Sequence, residues 1–483
     1  MRYLILAQGG VDARWQNPDG TPWLGITKHL LPVDGETLLG RTVRLLKRRG
    51  ARDIVITGPE DDPRYRFAGV RTVQQDQSGW TWPGINALHG TRELWAPRSR
   101  TTLLFGDVFY TDEAMDLIVA CDEPDLHFYR RPTASALTAH PWDEPFGMSF
   151  MPEHHDRIVE VGARIAADWT GVKRPHLWHF HAAWHSLQVK RARDLVNAPG
   201  QTVIDDWTDD IDKPSQAVAW LGRYYSPAAM TARGVGPLDV AVVMPWRNMG
   251  CPIRKRLAKF CKRWWQDQGV DVIVASDDDA PHFNVSQARN RGAAQSDADV
   301  LVFVDADTLV TPDQFWAGCY LAQQSGQVVL PYSEHRRLDS HATQQVIDGG
   351  WPKDAGRVWN NHVSGVVIVP REAWERVRFD ERFVGWGAED RAFWAAACTL
   401  LGEHDRLPGA SMHLWHPKSP DRAAPDDDPR RAANLELGRR YKLAAGMLDK
   451  TGWLPQIDDG GRVPADPVAM TALLAEPGGP FAT

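Results

Sequence analysis

Three clusters between residues 300 and 417 combine residue types and spacings that chemistry needs. Asp305 and Asp307 follow an apolar run at 299–304 whose short, β-branched composition predicts a buried strand. Two carboxylates one residue apart at a strand's end can reach one divalent cation and leave positions open for phosphate oxygens. Alone, such a pair is a weak signal, because acidic residues at strand ends are common and mostly solvated. The second cluster, Gly385-Trp386-Gly387-Ala388-Glu389-Asp390, places glycines around an indole, so the backbone can bend tightly beside a flat ring. An acid held there suits general-base work on a sugar hydroxyl, with Trp386 as a platform for the sugar's apolar face. The plainer alternative makes Glu389 and Asp390 first-turn residues favoured by the dipole of the following helix; it leaves Gly-Trp-Gly unexplained. The third cluster is His413-Leu414-Trp415-His416, and a histidine beside tryptophan is commonly a packed core residue.

Positioning these groups requires an α/β scaffold. The run 239–244 predicts a strand that starts a domain, and Arg391 begins a helix ending near Leu401. The basic run 254–265 predicts a helix with Leu257, Phe260, Cys261 and Trp264 on one stripe. Its charges read as a solvated face or, alternatively, as a nucleic-acid contact. A helix is predicted at 430–446, and the last 30 or so residues, rich in Gly, Pro and Asp, read as a loosely structured tail.

In this order the motifs resemble those of GT-A glycosyltransferases, especially the galactosyltransferase group with its GWGxED signature. Val242-Val243-Met244-Pro245-Trp246-Arg247-Asn248 is similar to that family's opening strand and nucleotide-binding turn. Residues 286–292 resemble the helix before the metal motif, and 363–369 the strand before the acceptor loop, so the likeness spans roughly 238–420. The resemblance implies that Asp305 and Asp307 hold a Mn²⁺ or Mg²⁺ ion and the sugar nucleotide, with Arg247, Arg289, Asn290 and Trp386 also on the donor side. It implies that Asp390 is the base taking the acceptor proton and that Glu389 binds the acceptor. One histidine, His416 or His413, would complete the metal shell.

Residues 1–230 have α/β character of their own: a strand at 2–7, a Gly-rich loop with Gly9, Gly10 and Arg14, then Lys28, a basic helix at 40–49 and a strand at 53–58. Glycines after the first strand let backbone N–H groups approach phosphates, which Arg14 and Lys28 could neutralise. This stretch resembles the sugar-nucleotidyltransferase family, with Thr27 in place of the usual proline before Lys28 and Asp12 in place of a loop glycine. The resemblance makes Asp107 one metal ligand and Asp210 or Asp212 a second. A scaffold with this fold and no turnover is the alternative.

Composition bounds the rest. With 483 residues, two or three domains are expected; 43% hydrophobic and 24% charged residues are ordinary for a globular chain. A net charge of −7 gives no support to a general nucleic-acid binder. Five scattered cysteines without CxxC argue against a disulfide framework or structural zinc and fit a reducing cytoplasm. No stretch approaches the ~20 apolar residues of a membrane span.

The sequence therefore predicts a cytoplasmic α/β enzyme of two Rossmann-like GT-A type domains in tandem, each a mostly parallel sheet flanked by helices: 1–230, a linker at 231–238, 239–420, and a C-terminal helix and tail at 421–483. The second domain would move a sugar from a nucleotide-sugar donor to an acceptor hydroxyl on a glycan, protein or modified nucleic acid, with inversion. The first would make the donor. A DNA- or protein-modifying sugar transferase with an inactive first domain, or a non-catalytic carbohydrate-binding protein, are the alternatives.

Overall fold

In the computed structural model, strand β1 (Arg2–Leu6) buries Tyr3 and Ile5 in one apolar cluster and Leu4 and Leu6 in another. Side chains alternate across a strand, so this sheet is covered on both faces, as a doubly wound sheet must be. The structure describes residues 1–8, 13–17, 20–75, 88–138, 140–141, 144–168, 177–190, 192–278, 281–360, 362–402, 405–425, 427–446 and 465–481. The chain divides into two units, Met1–Ala219 and Trp220–Thr483. Gly9 and Gly10 lie outside the described residues.

In the first unit β1 runs parallel to β2 (Ile54–Thr57) on one side and β4 (Thr101–Phe105) on the other; β3 (Arg71–Val73) extends the sheet beside β2. Beyond β4 come β6 (Glu144–Phe150), antiparallel, then β5 (His127–Arg131) and β7 (Gln201–Val203). Helix α1 (Leu38–Arg48) is capped by the Thr37 hydroxyl and packs its Leu39, Val43 and Leu46 stripe on the β1 face.

The second unit is built on β10 (Val300–Val304), buried along its whole length, with helix α5 (Pro312–Ser325) packed against it. β8 (Val240–Pro245) pairs parallel with it, β9 (Asp271–Ala275) parallel with β8, and β15 (Val366–Pro370) antiparallel on its other side. The sheet ends with β12 (Val329–Leu330) and β16 (Asp405–Arg406). A second sheet holds β11 (Thr308–Leu309), β17 (Ala410–His413), β13 (Glu334–Arg337) and β14 (Arg357–Trp359), in that spatial order. No described helix is long and apolar enough to cross a membrane.

Three details differ from the sequence reading. The stretch around the expected linker contains a helix, α2 (Pro227–Ala232), capped by Ser226, and the units divide at Ala219/Trp220. Helix α3 (Pro252–Gln266) buries Leu257, Ala258, Cys261 and Trp265, so its apolar stripe runs to Trp265, while Phe260 and Trp264 are half-buried. Most importantly, the supposedly loose tail carries helix α8 (Pro467–Ala475). It follows α6 (Glu389–Leu401) and α7 (Pro429–Ala444) in the chain, and packs against both. Met470, Leu473 and Leu474 are buried there. Arg382 bridges Asp380 at 2.6 Å and Glu476 at 2.8 Å, and the Tyr441 hydroxyl donates to Asp380 at 2.8 Å. The apolar residues of α8 are few and surrounded by Gly and Pro, which is why composition suggested disorder.

This packing can be checked directly. Leu473→Ala with Leu474→Ala should lower the midpoint of thermal unfolding by an amount corresponding to about 2 kcal/mol or more, the usual range for a buried Leu→Ala change. An unchanged midpoint would mean that the segment contributes nothing to the fold.

Candidate functional site

The strand order brings the ends of β8, β9 and β10 together with the loop before α6. Helix α4 (Val285–Ala293), capped by the Asn284 carboxamide, lies against β8 and β9 and points Arg289 between the acidic clusters. A Cβ on Gly292 would overlap the Val243 side chain, so glycine allows this close approach. Arg289 is 4% exposed; it donates to Asp390 at 2.6 Å and to Asp305 at 3.0 Å. Burial opposes its charge, but Asp390, Asp305 and Glu389 outweigh that and hold the guanidinium firmly protonated. Burial lifts the Asp305 carboxyl to about 6 against the pull of Arg289, with Asp390 and Asp307 adding to the rise.

Glu389 and Asp390 open α6. Ahead of them Gly385 (φ +80°), Gly387 (φ +119°) and even Ala388 (φ +72°) are left-handed, the sharp bend that the two glycines suggested. Glu389 accepts from the Gly387 amide at 3.1 Å, and burial together with Asp390 raises its carboxyl to about 8. A neutral Glu389 beside an ion-paired Asp390 is an asymmetric carboxyl pair. Trp386 is 44% exposed, its backbone carbonyl held by the Asn434 carboxamide of α7.

Asp307 faces elsewhere. Its carboxylate lies 2.9 Å from His416 Nε2 and 3.7 Å from His413 Nε2, and the three residues offer ligand atoms within 4.8 Å of one another. Burial would raise the Asp307 carboxyl, but His413, His416 and Arg254 outweigh it and hold it far below its ordinary value. This is a donor set of one carboxylate and two imidazoles, which fits Mn²⁺ and other transition ions better than Mg²⁺. The set differs from the expected one in two ways. Both histidines join it rather than one. Asp305 does not, because its carboxylate is turned to Arg289.

Among the expected donor-side residues, Arg247 pairs with the buried Asp277 at 3.1 Å and stacks near Phe283. Asn290 is spent inside the fold: its carboxamide donates to Phe379 O (2.8 Å) and Glu381 (2.9 Å) and accepts from Phe379 N (3.2 Å), clamping the segment that leads to the acidic loop. Two residues in contact with this cluster were not singled out in the sequence reading. Asp277, at the end of β9, takes Arg247 and the Asn284 amide (2.8 Å); the run Asp277-Asp278 after an apolar strand was the available signal. Arg254 turns from its basic helix to His416 Nδ1 at 3.2 Å. Arg256 likewise bonds Gln344, so part of the basic run serves the fold.

In the first unit, Lys28 contacts both Asp107 and Asp212, the latter at 2.6 Å, and Arg14 grips Asp212 with contacts of 2.5 and 2.9 Å. Asp107, Asp210 and Asp212 offer ligand atoms within 4.8 Å of one another, so both expected alternatives for the second aspartate belong to the group. Burial would raise Asp212, but Lys28 and Arg14 hold it far below its ordinary value; burial, Asp212 and Asp107 push Asp210 well above. Asp210 Oδ1 is buried without a hydrogen-bond partner. Three carboxylates with one orphaned oxygen fit a hard divalent cation such as Mg²⁺.

Residues 256–401 match the family model described as glycosyltransferase-like family 2. That span includes Arg289, Asp305, Asp307 and the Gly-Trp-Gly-Ala-Glu-Asp loop, and stops short of His413. The second unit thus carries a glycosyltransferase domain of the family 2 type. A search of curated proteins gave no match. Among solved structures, a Drosophila β-1,4-galactosyltransferase 7 in complex with manganese, UDP-Gal and xylobiose is 18% identical, over 41% of this chain and 79% of that one, with a TM-score of 0.31. A putative glucose-1-phosphate thymidylyltransferase from Bacillus anthracis, in complex with sucrose, is 15% identical over 45% and 95% (TM-score 0.28). The Streptococcus pneumoniae CTP:phosphocholine cytidylyltransferase is 14% identical over 44% and 95% (TM-score 0.28).

The geometry separates the two aspartates of the Asp-Ala-Asp motif. Asp307→Asn and His416→Ala should each weaken Mn²⁺ binding, read by electron paramagnetic resonance of the free ion, by well over the roughly 10–100-fold typical of an outer-shell change. Asp305→Asn should cost no more than that outer-shell range. Equal losses for Asp305 and Asp307 would contradict the separation.

Proposed function

We propose that the second unit transfers a sugar from a nucleotide-sugar donor to an acceptor hydroxyl with inversion, using a divalent cation held by Asp307, His413 and His416. The observation that carries this reading is the Arg289 bridge between Asp305 and Asp390, beside that ligand group, within a domain matching a glycosyltransferase family. The cation, when bound, would neutralise charge on the departing diphosphate. Arg247, ordered by Asp277, and Asp305 sit on the donor side. Asp390 takes the proton of the acceptor hydroxyl as the new C–O bond forms at the anomeric carbon and the bond to the phosphate oxygen breaks. Arg289 holds the Asp390 carboxylate in place at 2.6 Å, oriented to receive that proton. Glu389, protonated below about 8, donates a hydrogen bond to the acceptor, and Trp386 offers its face to the sugar ring.

For the first unit we infer nucleotidyl transfer: a sugar 1-phosphate oxygen attacks the α-phosphorus of a nucleoside triphosphate and pyrophosphate leaves. Arg14 and Lys28 would neutralise the phosphates, and Asp107, Asp210 and Asp212 would hold the cation. One chain would then make the donor that it spends.

Three measurements test these roles. Asp390→Asn should lose roughly 10²–10⁴-fold in kcat with donor affinity kept, whereas Glu389→Gln should act mainly on acceptor KM. Turnover of Asp390→Asn within a few-fold of wild type would remove it as the base. Because a raised carboxyl loses its proton as pH climbs through about 8, wild-type acceptor KM should rise above that pH. The rise should vanish in Glu389→Gln; a rise that persists would assign it to another group. Finally, the full-length chain should release pyrophosphate from a nucleoside triphosphate with some sugar 1-phosphate, and Asp107→Asn should stop it. No release across a panel of sugars would leave the first unit a scaffold.

A further inference from the structure

The second sheet of this unit continues past His413. Thr308, His413, Arg337 and Arg357 are paired in one row across β11, β17, β13 and β14. Directly paired residues share a face of the sheet, so Arg337 stands beside His413 and Arg357 beside Arg337. Two residues along β14, Trp359 shares that face, and both guanidinium carbons lie over its ring at 4.6 and 5.0 Å. Trp359 is 40% exposed, within a strand that is exposed throughout. Arg422 stands 5.4 Å over Trp386 of the acidic loop.

These arginines lack what the fold supplies to their neighbours. Arg336 has Glu334 and Arg430 has Asp428, but Arg337, Arg357 and Arg422 have no carboxylate partner among the described residues. Arg337 Nε is buried without a hydrogen-bond partner. Burial, then Arg422 and Arg357, draw the Arg337 guanidinium below its ordinary value, so the three cations act on one another. Like charges directly opposite in a sheet cost stability. Among the described residues Asp307 offsets part of that cost for Arg337, and a bound anion would offset it for all three.

We propose that this strip binds an acceptor glycan carrying anionic groups, with Trp359 under a sugar ring and Arg337 and Arg357 on a carboxylate, phosphate or sulfate. The inference rests on the glycosyltransferase reading and names the class of its acceptor. The donor diphosphate is the other anion at hand. However, Arg357 lies two strands from His413, about 10 Å at ordinary strand spacing, which is too far to share an anion with the cation site. Guanidinium forks match planar and tetrahedral oxyanions, and exposed indoles take apolar sugar faces.

Calorimetry on the full-length chain decides the matter, with a hyaluronan tetrasaccharide and a chondroitin sulfate tetrasaccharide as anionic probes and chitotetraose as the neutral one. Wild type should bind at least one anionic probe about tenfold or more tighter than chitotetraose, with the preference shrinking as salt is added. The double variant Arg337→Gln/Arg357→Gln should lose the preference, as should Arg357→Gln alone in large part, while Arg357→Lys should retain most of it. Trp359→Ala should weaken both kinds of probe. Three results would overturn the proposal: no preference in wild type, a preference that survives in the double variant, or a loss that falls on UDP or GDP with Mn²⁺ instead of on the oligosaccharides. Wild-type hydrolysis of nucleotide sugars, measured on the same preparation, separates the two readings. Its absence would defeat the transferase assignment, while the binding comparison would still decide the strip.

Discussion

The buried guanidinium of Arg289 is the interaction on which the second unit's site depends. It touches Asp305 at the end of β10 and Asp390 at the start of α6. Without a cation between them, these carboxylates could not share a half-buried space, since their repulsion would drive one to take a proton. Removing one member of such an arrangement costs far more than the pair contributes over an apolar substitute, because the remaining charges stay uncompensated. Arg289 therefore sets the distance between the end of β10 and the start of α6 and gives both carboxylates a shared counter-charge. The same logic recurs in the first unit, where Lys28 and Arg14 hold the Asp212 carboxyl far below its ordinary value beside an Asp210 pushed well above.

What could be read from the chain was what depends on neighbours in sequence. The apolar run before Asp305, the tight bend at the glycines flanking Trp386 and the helix after them are local properties that composition and spacing located, although the helix opens at Glu389, ahead of the expected Arg391. The partner of Arg289 was not local: Asp390 is 101 residues away. Nothing at position 290 distinguishes a carboxamide that meets a nucleotide from one that clamps the backbone of Phe379. The two aspartates of Asp-Ala-Asp looked equivalent because alternation along an extended segment says that they share a side, not which cation each will meet. Once the turn at Ala306 and Asp307 bends the chain, one aspartate faces an arginine and the other two histidines.

Helix α3 shows the opposite error. Its basic surface suggested charge spent on solvent or on a polyanion, yet Arg254 reaches His416 and Arg256 reaches Gln344. In contrast, the arginines that have no carboxylate ion pair among the described residues are on short β-strands and a loop where no run of charge advertises them. Density of charge in sequence is thus a poor guide to free charge in space.

The contacts of the last helix have a consequence for evolution and engineering. The segment carrying the acidic loop is held through Asp380, and Asp380 is held by Arg382, which reaches Glu476, and by Tyr441. Asn434 and Gly438 of α7 press on the same loop from behind. A minimal domain cut at the limits of the recognised family, residue 401, would keep every acid of the loop and lose the wall it leans on. Gene fragments trimmed to that boundary would yield a polypeptide with the right letters and a slack hinge, and recombination between relatives would succeed only where these two helices travel with the loop they brace.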